Sequence, residues 1–150
     1  MSDYRNRPKG NYIQRANWED LYILTEKWKD DLEFYLFDIQ FSERLLDTYF
    51  VKLLLSENLY ELRELQNDIV DLKNKCKNIL QRIPIHLSFI VDIIDGSNEY
   101  NTILFRKEHE QFEDEISRFI ETVKVVRKTV ISMTKDVLEN DKSKYIWKFN

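Results

Sequence analysis

Glycine and proline are almost missing from this chain. Two of each occur in 150 residues, and since Pro8 and Gly10 lie together near the start, Pro84 and Gly96 are all that remain for the body. So few turn-formers mean few chain reversals, which excludes sandwiches and barrels of many short strands. Gly-rich phosphate loops are excluded for the same reason. Cys76 is the only cysteine, so no intramolecular disulfide can form and the chain suits a reducing compartment. No charge dominates either. Lys and Arg number 23 against 27 Asp and Glu, a net of -4, and Lys73, Lys75 and Lys77 belong to a mixed-charge helix. This balance argues against nucleic acid or an anionic membrane as partner. No apolar run approaches the ~18 residues of a membrane span, and the opening MSDYRNRPKG has no apolar core behind its basic residues. A cytoplasmic location is expected.

What is abundant is apolar residues spaced four and three apart. Leu21, Thr25, Trp28, Leu32, Tyr35, Ile39, Ser42, Leu46, Tyr49 and Leu53 keep this spacing without a slip. Leu62 to Ile93 and Phe105 to Val137 repeat it, so three coiled-coil-like seams are present. The fold class expected is all-α, an antiparallel up-down-up bundle of three long helices at about 18–54, 58–94 and 100–140. Asn17 before Glu19 and Asp20 reads as an N-cap with acids in the first turn, Asn58 with Glu61 as a capping box, and Gly96 as a left-handed C-cap. Pro84 falls inside the second seam. The phase passes through it undisturbed, so the spacing predicts one kinked helix rather than two. Residues 1–16 have no period and are expected to be a flexible tail, 17–140 the bundle, and 141–150 an aromatic tail in which Tyr145, Ile146, Trp147 or Phe149 docks.

Short turns convert sequence into a contact map. Folding back between Ser97 and Asn98 sets His86 opposite His109, the only two histidines of the chain, with Thr25 at the same level. Two imidazoles with Glu113 one turn beyond His109 form a candidate metal site for His86, His109 and Glu113, with Glu26, Glu108 and Glu110 nearby. The sequence supports that site only weakly, and the preferred reading is a hydrogen-bonded polar layer that fixes helix register, or two half-exposed rings near a bundle end. Di-metal bundles use paired Glu-x-x-His units, and here Ile83 and Arg106 stand three residues before the histidines. No cofactor is expected beyond a possible divalent metal. No catalytic residues are assigned, because no serine has a His-Asp arrangement and bundle helices offer no oxyanion donors. Cys76 lies on a seam and is expected to be buried packing rather than a reactive thiol.

The first helix carries more apolar surface than one seam uses. Phe34, Phe37 and Phe41 project opposite the Leu21-to-Leu53 stripe. They are candidate interface residues, to be covered by a partner subunit in a homodimer, by another protein, or by one of the chain's own ends through Tyr4, Tyr12, Ile13 or the aromatic C-terminal tail. Leu87, Phe89, Val91 and Ile94 also lie off their seam and need cover.

The segments Leu24–Tyr35 (LTEKWKDDLEFY) and Phe105–Ile116 (FRKEHEQFEDEI) resemble those of a group of small uncharacterised bacterial three-helix proteins. The resemblance agrees with a bacterial cytoplasmic origin, carries no activity over and leaves the function open. Taken together, the expectation is a non-enzymatic helical bundle that self-associates or binds a protein through a helical face. The alternative is a metal- or small-ligand-binding bundle using His86 and His109.

Overall fold

The computed structural model describes residues 5, 7, 10–96 and 101–149, with side chains to Glu139. Among these residues all regular structure is helical. Four helices pack together: α1 (Tyr12–Arg15), α2 (Trp18–Leu53), α3 (Leu59–Asp95) and α4 (Thr102–Phe149). The caps explain where they begin and end. The Asn17 side chain accepts from the Asp20 amide at 2.8 Å and Asn58 from the Tyr60 amide at 2.8 Å, each satisfying a donor that the first turn leaves orphaned. Asn101 does the same for Leu104 at 3.1 Å. Gly96 closes α3 with φ 66°, its amide reaching back to the carbonyls of Asp92 and Ile93. That left-handed conformation is cheap only without a Cβ.

Direction follows from cross-helix pairs. Lys73 meets Glu43 at 2.9 Å and Gln66 meets Asp47 at 3.3 Å, so a step back along α3 is a step forward along α2. Arg82 with Glu115 and His86 with His109 set α4 antiparallel to α3. Trp18 on Phe105 and Asp38 with Arg127 set it parallel to α2. The shared core is built from seam residues: Trp28, Leu32, Ile39 and Leu46 of α2, Ile69, Cys76, Ile79 and Ile83 of α3, and Ile116, Phe119, Val123 and Val130 of α4. Each such apolar side chain contributes about 1.5–3 kcal/mol on leaving water. The Cys76 thiol donates to the Leu32 carbonyl at 3.3 Å, and burial pushes its pKa up to about 11. Packing, not reactivity, is its place.

Pro84 lies within the single helix α3 on an exposed face. Proline there leaves the Leu80 carbonyl without its helical donor.

Two expectations need correction. The chain before Asn17 does not hang free over its described part: α1 precedes the long helices, Ile13 is fully buried and Ala16 nearly so. Arg106 of α4 is the reason, since its guanidinium donates to the carbonyls of Ile13 at 2.7 Å and Ala16 at 2.8 Å. The last helix also passes Asn140 and runs to Phe149, because no Gly or Pro between those positions stops it. The docking expected of Tyr145, Ile146, Trp147 or Phe149 concerns side chains outside the described residues, as does any role of Tyr4, and the turn at Ser97–Asn98 also lies outside them.

Candidate functional site

The two histidines meet. His86 Nε2 and His109 Nδ1 lie 2.6 Å apart, at the level that folding back at the second turn requires. His109 has no exposed surface, while His86 keeps part of its own. Aromatic rings enclose the pair. Trp28 stacks on His109 with centroids 4.7 Å apart, Phe105 stacks on His86 at 4.9 Å, and Phe112 presents an edge to His86 at 5.3 Å. Thr25 is buried at this level but turns its hydroxyl to its own helix, donating to the Leu21 carbonyl at 2.7 Å. The α2 contribution to the layer is therefore Trp28.

Only one proton fits between the facing nitrogens, so one ring donates and the other accepts. Both are held neutral. Burial, followed by Arg82, lowers the His86 pKa to about 4, while burial, then His86, Arg106 and Arg7, lowers that of His109 to about 3. The far nitrogen of His109, Nε2, is buried with no hydrogen-bond partner. An orphaned N–H is costlier than an orphaned lone pair, so the favoured arrangement has His109 Nδ1 donating to His86 Nε2, leaving His109 Nε2 as the unprotonated atom.

Glu113 goes elsewhere. Its carboxylate accepts from Arg7 Nε at 2.6 and 2.8 Å, with Arg5 Nε at 3.6 Å, while Arg5 also bonds Asp114 and Gln14 bonds Glu110 at 2.5 Å. Burial raises the Glu113 pKa and the Arg7 hydrogen bond opposes it. The segment before α2 is thus strapped along α4 by two arginines and by Arg106, which also lies over the Trp18 ring at 4.1 Å. The grouping of His86, His109 and Glu113 is not assembled: among the described residues no three His, Cys, Asp or Glu side chains are placed to hold a metal ion. Two ring nitrogens on one zinc would stand about 3.3 Å apart, given Zn–N bonds near 2.05 Å in a tetrahedron, wider than the hydrogen-bonded pair. Beside His86, α3 and α4 border a cavity of about 260 Å³ lined by Arg82, Ile85, Phe89, Phe105 and Glu108.

The second candidate lies on the far side of α2. Phe34 is 60% exposed, Phe37 65% and Phe41 45%, as the helical phase requires. Neither described end of the chain reaches them: the N-terminal segment lies on α4, and α4 continues as one helix to Phe149 rather than folding back. Of the off-seam residues near Pro84, Leu87 is half-buried while Phe89, Val91 and Ile94 remain about two-fifths exposed. Arg5, Arg7 and Trp28 are what sequence reasoning missed around the histidines. Trp28 is one seam step from Thr25 and could have been read from spacing, whereas the arginines sit in a stretch with no period.

No protein-family model, curated protein or solved structure matches this chain.

Proposed function

We propose that the chain is an up-down-up bundle of three long helices, strapped by its N-terminal segment, that works without catalysis as a protein-interaction module through the outer face of α2. The observation that carries this reading is the exposure of Phe34, Phe37 and Phe41, with the described N-terminal segment lying on α4 instead. Soluble chains seldom leave a contiguous aromatic patch to water unless it binds something. The bundle supplies a rigid backing for that face, since the opposite side of the same helix is locked into the core by Trp28, Leu32, Ile39 and Leu46. No helix among the described residues is long and apolar enough to cross a membrane, which suits a partner met in water, and a cytoplasmic setting fits the lone buried thiol.

A face kept for a partner contributes little to the fold of its own chain. Phe34→Asp combined with Phe37→Asp should leave urea unfolding of dilute protein within about 0.5 kcal/mol of wild type. A loss of about 2 kcal/mol or more, the scale of a buried large side chain, would mean that the face is packed within the chain and would sink the reading.

The cavity beside His86 favours a second reading, in which the bundle takes up a small ligand or a metal there. Elemental analysis of untagged protein, before and after His109→Ala, separates the two. Stoichiometric metal lost with the histidine would favour the ligand reading.

A further inference from the structure

The three phenylalanines belong to a longer pattern. Ile23, Lys27, Asp30, Phe34, Phe37, Phe41, Arg44, Thr48, Val51 and Leu55 follow one another at steps of four and three, and all ten are exposed. The first nine lie on α2 and Leu55 lies in the turn just beyond it. This is a second seam, about 180° from the one that builds the core, and it runs for roughly 45 to 50 Å at 1.5 Å per residue. A spacing of this kind is what a helix needs to pack lengthwise on another helix.

We infer that the occupant of this second seam is the same seam of a second copy, running antiparallel, with Phe37 of each chain against Phe41 of the other. The inference rests on the reading of the α2 outer face as an interaction surface and adds the partner, its direction and its register. The order of residues carries it. About a centre at position 39, Ile23 meets Leu55, Lys27 meets Val51, Asp30 meets Thr48, Phe34 meets Arg44 and Phe37 meets Phe41, each pair occurring twice by the two-fold axis. Apolar ends meet apolar ends, the aromatic centre meets itself, and each Arg44 guanidinium falls on a Phe34 ring.

Other alignments are poorer. A parallel pair in register sets Lys27 on Lys27, Asp30 on Asp30 and Arg44 on Arg44. Sliding the antiparallel pair one heptad in one direction brings Lys27 against Arg44, and sliding it the other way leaves Ile23 and Lys27 without partners. In the favoured register, Glu33 and Asp47 face each other along one rim. Both are acidic and solvent-facing, so the association tightens as salt screens them.

Two variants of the full chain, each with one added cysteine, test this. Lys27→Cys and Val51→Cys are at exposed positions, and native Cys76 stays buried and out of reach. Held in a glutathione redox buffer, the mixed variants should form the heterodisulfide at least about tenfold above either homodisulfide. Wild-type protein sampled in parallel should sediment at twice 18.3 kDa. Homodisulfides dominating would overturn the direction, and a dimeric mass with no cross-link would overturn the face and register. A monomeric mass at all concentrations would overturn the second copy as occupant, while the interaction reading still stands or falls by the urea experiment on the phenylalanine variant.

Discussion

His109 is a ring with no contact with water, one nitrogen bonded to His86 and the other bonded to nothing. Such a group is tolerated because it stays neutral. Folding lowers both histidine pKa values below the ~6.5 of an unfolded chain. The unfolded state therefore binds more protons between that value and about 4, and stability present in full above pH 6.5 is lost as the pH falls through this window. Arg82, Arg106 and Arg7 push the same way. Glu113, whose pKa is raised by burial, contributes with the opposite sign. Moving from about pH 7.5 to about pH 5.5 should remove roughly 1 kcal/mol per ring. In His86→Gln, thermal or urea unfolding should show about half the pH sensitivity of wild type, and equal sensitivity in the two proteins would contradict the neutral pair.

At the scale of elements, Arg106 joins α1, α2 and α4. It caps the last turn of α1 through two carbonyls and lies over Trp18 at the start of α2. Arg106→Ala should expose the Ala16 amide, which donates to the Tyr12 carbonyl at 2.7 Å, to rapid hydrogen exchange and lower stability by about 1–3 kcal/mol. Unchanged protection at Ala16 would show that Ile13 burial alone holds the segment. This strap was not legible in the sequence, because Arg5 and Arg7 gain their meaning only from carboxylates about a hundred residues away. The long helices were legible for the opposite reason. Their burial is written every three or four residues, and with only a few residues per turn the pairing of His86 with His109 becomes a matter of counting. The overrun of α4 to Phe149 is readable in principle, since no Gly or Pro after Asn140 stops a helix, although the apolar seam ends at Val137. Glu113 had the right spacing for a ligand of the histidine layer. Its fate was decided by the strap.

Over the whole molecule, α2 carries two contrasting faces. One face, Leu21 to Leu53, is buried against α3 and α4, while the other, Ile23 to Leu55, meets solvent. The second face centres on Phe34, Phe37 and Phe41, and a second copy of the chain is its proposed partner. The mass in solution tests this most directly. Light scattering over a concentration series should give wild type approaching twice 18.3 kDa, and Phe34→Asp with Phe37→Asp fixed at 18.3 kDa with its helical circular dichroism intact. A variant that keeps the wild-type mass would contradict the account, because association would then not run through the outer face of α2.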